Sequence, residues 1–261
     1  MDMGLVGRRA LVTGSSAGIG AAIAEMLAEE GAAVVVHGRD RDRTEAVAHR
    51  IEAVPVVGDL STDAGAAYVA DAASAGGPID ILVNNAGGYE ELSWSDAVPE
   101  QWAQVYQANV VSGVRMIRHL TPAMRQRGWG RVIQIGGGLA VQPMAIQPHY
   151  QATLAARHNL TVSLARELAG TGITANTVAP GAILTDQVAE LLMRIAPEHG
   201  WTGNLSDVER VAAESWIPND VGRFGRPDEI AAAVVFLAGK HADYISGATI
   251  RVDGGTIRSV A

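Results

Sequence analysis

The chain has no cysteine and only one lysine, Lys240, among its 261 residues. Without cysteine it can form no disulfide, no thiolate metal site and no cysteine nucleophile. It also lacks any apolar run near the roughly 18 residues of a membrane-spanning helix. Its first residues hold no apolar stretch long enough for a signal peptide. These absences predict a cytoplasmic protein with no membrane partner.

Basic residues are scarce relative to acidic ones: Lys and Arg number 20, Asp and Glu 28, and the net charge is −8. Proteins that bind nucleic acid neutralise phosphates with a basic surface, so nucleic acid is not expected as a partner. The seven histidines form no closely spaced ligand pair with acidic residues, and no metal site is expected. The hydrophobic content of 48% indicates a folded chain rather than a disordered one.

Short β-branched runs alternate with longer helical stretches along the whole chain. The runs predict strands at residues 9–13, 33–37, 54–57, 79–83, 131–135, 173–178 and 248–252. Helices are expected at residues 19–30, 102–127, 150–168 and 228–238, with a polar helix ending at residue 51. Strands that are apolar throughout and followed by helices form parallel sheets covered on both faces. The pattern therefore predicts one α/β domain over residues 1–261: a Rossmann-type doubly wound parallel sheet in a three-layer αβα sandwich.

Residues 185–219 interrupt this alternation. The segment contains Pro197, Pro218 and two glycines, together with Trp201 and Trp216. An irregular insertion of this size often forms a lid or substrate-binding segment. The alternative is a packed helical excursion with two core tryptophans.

A glycine-rich turn, TGSSAGIG at residues 13–20, lies between the first strand and the first helix. Glycines there permit a tight turn, and the helix N-terminus offers free N–H groups to a pyrophosphate. The second strand ends in His37, Gly38 and Arg39. An acid that would hold the ribose 2′-hydroxyl of NAD is missing at Gly38, and Arg39 with Ser15 could bind a 2′-phosphate. NADP (NADPH) is therefore favoured over NAD, the alternative being a solvated basic helix start.

Several motifs in order resemble the short-chain dehydrogenase/reductase family over essentially the whole chain. They are the TGSSAGIG turn, NNAG at residues 84–87, the Asn of QANVVS, a Pro-Gly element after the sixth strand, and the C-terminal stretch of residues 222–255. The resemblance implies a set of cofactor-binding residues at the strand ends: Gly14, Ser15, Ser16, Gly18, Ile19, Gly20, Arg39, Asp59, Leu60, Asn85, Ala86, Gly87, Pro180, Gly181, Ile183 and Thr185.

The family resemblance also implies a catalytic set of Asn, Ser, Tyr and Lys, of which this chain matches only two. Asn109 and Tyr150 stand at the Asn and Tyr positions. In the family the Tyr transfers the proton, the Ser positions the carbonyl oxygen, and the Lys lowers the phenol pKa and binds the ribose. Here Gly137 stands at the Ser position and Leu154 at the Lys position.

Two residues on the Tyr150 helix could compensate for the missing lysine. Arg157 lies seven residues after Tyr150, nearly on the same helical face, and could fix the ribose or the tyrosine. His149 adjoins Tyr150, and histidine is a side chain that can act as an acid or a base in catalysis. The alternatives are a surface arginine and a structural or solvent-facing histidine.

The resemblance predicts an NADP(H)-dependent oxidoreductase that transfers a hydride to a carbonyl, imine or activated alkene of a small-molecule substrate. Tyr150 would donate the proton within an incomplete Asn-Ser-Tyr-Lys set. The alternatives are a non-redox activity on the same fold (isomerase, dehydratase or cyclase) and a catalytically inactive partner subunit. By resemblance, the protein is expected to form a homotetramer.

Overall fold

Seven short strands form one fully parallel sheet in the computed structural model, which describes residues 2–259. Their order across the sheet is β3-β2-β1-β4-β5-β6-β7. The strands are β1 Arg9–Val12, β2 Ala33–Gly38, β3 Val54–Val57, β4 Ile81–Asn84, β5 Gly130–Ile135, β6 Ile173–Pro180 and β7 Thr249–Val252. The chain reverses its direction of sheet growth between β1 and β4, which is where parallel α/β sheets bind ligands.

Helices cover both faces of this sheet. They are α1 Gly18–Glu29, α2 Arg41–Arg50, α3 Asp63–Ser74, α4 Pro99–Tyr106, α5 Ser112–Arg127, α6 Pro148–Glu167, α7 Asp186–Ile195, α8 Leu205–Ser215 and α9 Pro227–Ala238. Successive strand residues point to opposite faces. Leu11 packs into the core cluster beneath α3 and α5, whereas Val12 packs into the cluster beneath α1 and α9. The predicted three-layer α/β sandwich is confirmed.

The predicted strands agree with the observed ones to within about two residues at each end. The helices differ in three places: at α3, at the helix expected over residues 102–127, and in residues 185–219. Helix α3 was not expected, because its alanine-rich sequence DAGAAYVADAAS has a weak apolar stripe. The single helix expected at residues 102–127 is two helices, α4 and α5, joined by a π-helical turn at Gln107–Val111. That turn contains Asn109.

Residues 185–219 are largely helical rather than irregular, because they include α7 and α8. A separate apolar cluster holds these helices together, with Leu192, Ala212 and Phe224 at its centre. Trp201 and Trp216 pack on this cluster, with their ring centroids 6.1 Å apart. Residues 185–219 are therefore a packed helical excursion, and their role as a lid or substrate-binding segment stays a prediction.

No helix within residues 2–259 is both long and apolar enough to cross a membrane. In the same part of the chain, no group of three or more His, Asp or Glu side chains is placed to hold a metal ion.

Candidate active site

The turn between β1 and α1 has the shape that a pyrophosphate needs. Gly14 and Gly18 adopt the left-handed region, with φ of +66° and +55°. A Cβ on Gly20 would lie 2.3 Å from the Gly14 carbonyl oxygen, so no larger residue fits there. Helix α1 begins at Gly18 without a side-chain cap and has no acidic residue in its first turn. Its N–H groups and positive end therefore remain available to an anion, and Ile19 lies in this first turn.

Ser15 does not fit its predicted role in holding a 2′-phosphate. Its side chain is fully buried, and its hydroxyl donates to the Val12 carbonyl at 2.7 Å and accepts from the His37 N–H at 3.0 Å. The Ser15 N–H donates to the His37 carbonyl. The Ser15 hydroxyl therefore stabilises the turn through buried hydrogen bonds. The position of Ser15 in the glycine-rich motif does not indicate that its side chain is buried.

Ser16 is the serine that lies beside the end of β2. A Cβ on Gly38 would come within 2.9 Å of the Ser16 hydroxyl and 2.3 Å of the Thr44 hydroxyl. Gly38 is thus required by close packing, in addition to leaving the acid position empty. Arg39 is exposed and forms no ion pair with any residue between 2 and 259. Its guanidinium is free for a phosphate, which binds arginine well.

His37 links the phosphate turn to the loop after β3, a contact that the sequence analysis missed. Its Nδ1 accepts a hydrogen bond from the Gly14 N–H at 3.2 Å, so this nitrogen carries no proton. Its Nε2 must then donate to the Gly58 carbonyl at 3.2 Å. Burial lowers the pKa of His37 to about 4, which keeps the ring neutral.

Asp59 and Leu60 follow β3 in the next loop. The Asp59 carboxylate is exposed and accepts hydrogen bonds from the N–H and hydroxyl of Ser61, which lower its pKa. The Leu60 side chain is buried in the core cluster beneath α3 and α5. Only the backbone of Leu60 therefore remains to contact a ligand.

The segment Asn85-Ala86-Gly87 packs directly against the phosphate turn. The Asn85 side-chain amide donates to the carbonyls of Thr13 and Gly14 at 3.0 and 2.9 Å. The N–H groups of Asn85 and Ala86 both donate to the Thr13 hydroxyl at 3.0 Å. The two motifs, 70 residues apart in sequence, form one rigid unit at the centre of the sheet.

The loop after β6 closes the other side of the same turn. Pro180 ends the strand, and a Cβ on Gly181 would lie 2.8 Å from the Asp253 Cα. Ile183 is buried and pairs with Gly225. The Thr185 hydroxyl caps α7, and a Cβ on Gly18 would be 3.4 Å from the Thr185 Cγ2. The expected cofactor residues at β1, β4 and β6 thus lie around one crevice.

Asn109 acts within the protein as a clamp between three segments. Its side-chain amide donates to the Gly88 carbonyl at 2.9 Å and the Thr153 hydroxyl at 3.0 Å, and its Oδ1 accepts from the Gly88 N–H at 2.9 Å. The Thr153 hydroxyl in turn donates to the Tyr150 carbonyl. Asn109 is nearly fully buried, so its side chain positions the Tyr150 helix.

Tyr150 lies in the first turn of α6, which begins at Pro148. Its ring contacts that of Tyr89, with centroids 5.4 Å apart and planes at 48°. Burial raises the pKa of the Tyr150 phenol above its ordinary value, and the positive charge of Arg157 opposes that rise. The phenol is therefore protonated at neutral pH. Tyr89 was missed by the sequence analysis because no motif includes it.

Gly137 and Leu154 occupy each other's space. A Cβ on Gly137 would lie 2.9 Å from the Leu154 Cδ1, and Leu154 is buried. The neighbouring Gly136 is equally restricted, since its Cβ would lie 2.4 Å from the His158 Nε2. Gly137 and Leu154 therefore form one packing arrangement.

Arg157 and His149 are both buried, contrary to the surface and solvent-facing alternatives. The guanidinium of Arg157 donates to three backbone carbonyls. His149 packs its ring near Trp102, with centroids 6.1 Å apart. Neither ring nitrogen of His149 has a hydrogen-bond partner in the described part of the chain, so the ring makes no hydrogen bond to the Tyr150 phenol.

A polar cavity of about 430 Å³ opens beside Tyr89, between the loop after β4 and helix α7. Most of its walls are polar or charged, and the only aliphatic wall is Leu191: Tyr89, Glu91, Gln187, Glu190, Leu191 and Arg194 line it. Tyr89, which lines this cavity, also contacts the Tyr150 ring. Neither Trp201 nor Trp216 lines the cavity.

The fold and the crevice at the strand ends define an α/β protein of the dinucleotide-binding class. The chain matches the family model described as short chain dehydrogenase over residues 8–194. It is 38% identical to the uncharacterized oxidoreductase YvaG of Bacillus subtilis (strain 168), with 100% of both chains covered. The chain belongs to the short-chain dehydrogenase family, and it is an NAD(P)-dependent oxidoreductase.

Two solved structures are similar over nearly all of the chain. One is the L-sorbose reductase of Gluconobacter frateurii complexed with NADPH and L-sorbose, with a TM-score of 0.94, 34% identity and 100% of both chains covered. The other is a 3-oxoacyl (acyl-carrier-protein) reductase of Agrobacterium tumefaciens C58 with NADP bound. Its TM-score is 0.86 and its identity 39%, covering 96% of this chain and 95% of that one.

Proposed function

We propose that this protein is an NADPH-dependent reductase in which Tyr150 donates the proton to a substrate carbonyl oxygen. The observation that carries the proposal is the position of Tyr150. Its phenol is partly buried beside Tyr89, where a polar cavity opens, and burial raises its pKa. The phenol is therefore in the protonated form that a proton donor requires.

The crevice fits a dinucleotide, because left-handed Gly14 and Gly18 and closely packed Gly20 shape the turn, and α1 presents an uncapped N-terminus beside it. When bound there, NADPH would supply a hydride. Arg39, with Ser16 beside it, would hold the 2′-phosphate in preference to the 2′-hydroxyl of NADH. The neutral loops around Asn85 and Thr185 would enclose the nicotinamide half.

The proton balance of the reduction runs through Tyr150. The carbonyl carbon gains the hydride, the C=O π bond breaks, and the O–H bond of Tyr150 breaks as its proton passes to the substrate oxygen. The phenolate then regains a proton from water. Asn109 and Thr153 hold the helix that carries Tyr150 but do not themselves reach solvent.

The substrate oxygen has fewer donors here than in the family pattern, since Gly137 offers no hydroxyl. The remaining binding energy must come from the polar cavity, where Glu91, Glu190 and Arg194 can pair with substrate hydroxyl groups. This favours a small, hydroxylated carbonyl compound over an aliphatic one. L-Sorbose, named with the similar reductase, is a compound of this kind.

The experiment is a substrate panel with NADPH that carries deuterium at the transferred position of C4. The panel contains hydroxy ketones, simple aliphatic ketones, imines and enones of similar size. We expect loss of NADPH absorbance with the hydroxy ketones and one deuterium in each alcohol product. Conversion of a substrate without NADPH loss would indicate a non-redox activity and contradict the proposal. NADPH binding without turnover on any carbonyl would also contradict it.

A further inference from the structure

Arg157 is a buried cation that reaches the centre of the site. Its Nε donates to the Asn109 carbonyl at 2.5 Å, its Nη1 to the Ile135 carbonyl at 2.6 Å, and its Nη2 to the Ala86 carbonyl. These carbonyls belong to the π-helical turn, the end of β5 and the loop after β4. The guanidinium therefore lies where the cofactor segment, the catalytic helix and the glycine stretch of residues 136–138 converge.

Within the described part of the chain, no carboxylate balances this charge. Among residues 2–259, Arg157 takes part in no ion pair. Burial lowers the pKa of Arg157 to about 10, so the side chain is still charged at neutral pH. Buried charges are costly unless an opposite charge or several hydrogen bonds compensate them. Three carbonyls use three of the five guanidinium N–H donors, and two remain.

Tyr150 lies seven residues before Arg157 in α6, nearly on the same helical face. Among the titratable side chains in the described residues, the Tyr150 phenol is the one that raises the pKa of Arg157. The pKa of Tyr150 is in turn lowered by the charge of Arg157 on the same helix and raised by Tyr89 on the loop after β4. Glu91 raises the pKa of Tyr89, and Arg194 lowers it. A phenolate at Tyr150 would thus be the natural counter-charge for Arg157.

We propose that Arg157 is the positioning residue that supplies the positive charge of this site, stabilising the Tyr150 phenolate formed as the proton leaves. In the family pattern that charge comes from a lysine at the position of Leu154. Here the charge belongs to residue 157, about one helical turn after position 154, and three backbone carbonyls hold the guanidinium in place. The proposal rests on the proposed role of Tyr150 as proton donor.

This placement accounts for Leu154. Once the cation is at residue 157, position 154 is released for apolar packing, and Leu154 fills the space above Gly137. Arginine suits the fixed position because its planar group can bond several carbonyls at once, whereas lysine carries a compact ammonium.

The test measures the ionisation of Tyr150 directly, in the full-length protein without cofactor. Tyrosines are replaced by 3,5-difluorotyrosine, because ring fluorination lowers the phenol pKa into a range where the protein stays folded. Fluorine NMR then follows each phenol against pH, and the resonance missing from Tyr150→Phe identifies Tyr150. We expect Arg157→Met to raise its titration midpoint by about one pH unit or more. Arg157→Lys should stay within half a unit of the unsubstituted protein.

Two further variants separate charge from packing. Arg157→Gln keeps N–H donors for the carbonyls but no charge, and it should show the same upward shift even if Arg157→Met fails to fold. Arg166→Met, which removes an exposed arginine from the same helix, should leave the midpoint unchanged. An unshifted Tyr150 midpoint in folded Arg157→Met or Arg157→Gln would overturn the proposal. It would leave the reductase function standing, because that function is tested by turnover and not by this titration.

Discussion

Gly137 and Leu154 are complementary: a Cβ on Gly137 would lie 2.9 Å from the Leu154 Cδ1. The backbone of Gly137 is extended, so the restriction comes from the leucine and not from the glycine's conformation. Leu154 fills the space that a side chain at residue 137 would need. A larger residue at Gly137 alone therefore clashes with Leu154.

This relationship predicts non-additive stability. Gly137→Ala should lower the free energy of unfolding by about 1–3 kcal/mol through overpacking. In the Leu154→Ala background the same methyl enters vacated space, so the double variant should be more stable than the sum of the single effects by about 0.5–3 kcal/mol. Urea unfolding measures all four proteins. Gly88→Ala, where a Cβ meets nothing within 4 Å, is the control, and strict additivity would contradict the prediction.

The exposed guanidinium of Arg39 is expected to select NADPH. Arg39→Ala should weaken NADPH binding by about 10- to 100-fold, because a charge-assisted hydrogen bond to phosphate is lost, and should leave NADH binding unchanged. Quenching of tryptophan emission reports both affinities. Arg41→Ala is the matched control, since Arg41 is close in sequence but pairs with Glu45. An equal loss for both nucleotides would show that Arg39 does not read the 2′-phosphate.

His37 should make stability depend on pH. Its folded pKa of about 4 lies below the ordinary value of 6.5, so between these values the unfolded chain binds more protons than the folded one. Stability therefore falls as pH drops, by roughly 2 kcal/mol from this group between pH 7 and 5. Urea unfolding of His37→Asn should lose that part of the pH dependence, while His119→Asn, at an exposed site, should retain it. Parallel curves for the two variants would refute a buried, neutral His37.

The raised pKa of Tyr150 gives the two reaction directions opposite pH responses. Reduction needs the protonated phenol, so its rate with saturating NADPH should hold from pH 7 to 9 and fall as the pH passes the raised pKa. Oxidation of the alcohol product needs the phenolate and should become faster over the same upper range. Initial rates in both directions measure this. A reduction rate that falls with a midpoint near pH 7 is the contrary result.

The positions of the motifs at the strand ends could be predicted from the sequence, because each motif is local and its glycines and polar residues suit a tight turn. The burial of Arg157 was not, and the reason is physical. His149, Thr153, Arg157 and Thr161 repeat at every fourth position of α6, a spacing typical of a polar, solvent-facing stripe. All four are buried. Thr153 and Arg157 bond to Asn109 of the π-helical turn, and Thr161 accepts from the Thr177 hydroxyl in β6. His149 packs near Trp102. Only the assembled fold provides these neighbours.

The π-helical turn was hidden for a similar reason. The sequence at Gln107–Val111 continues an ordinary helical pattern, and one extra residue in a turn leaves little trace in periodicity. Its effect is to present the Asn109 carbonyl to Arg157 and the Asn109 side chain to Gly88 and Thr153. The motif residue was identified from sequence, but its clamp-like contacts were not.

Proton donation by Tyr150 is tested most directly by comparing Tyr150→Phe with Tyr244→Phe. The second variant removes the hydroxyl of a fully exposed tyrosine. Both proteins are titrated with NADPH and then assayed for its oxidation with the best hydroxy ketone. If Tyr150 donates the proton, we expect unchanged NADPH affinity in both proteins and an unchanged rate in Tyr244→Phe. The rate in Tyr150→Phe should be about 10²- to 10⁴-fold lower. A Tyr150→Phe protein that reduces the ketone at the original rate would contradict it.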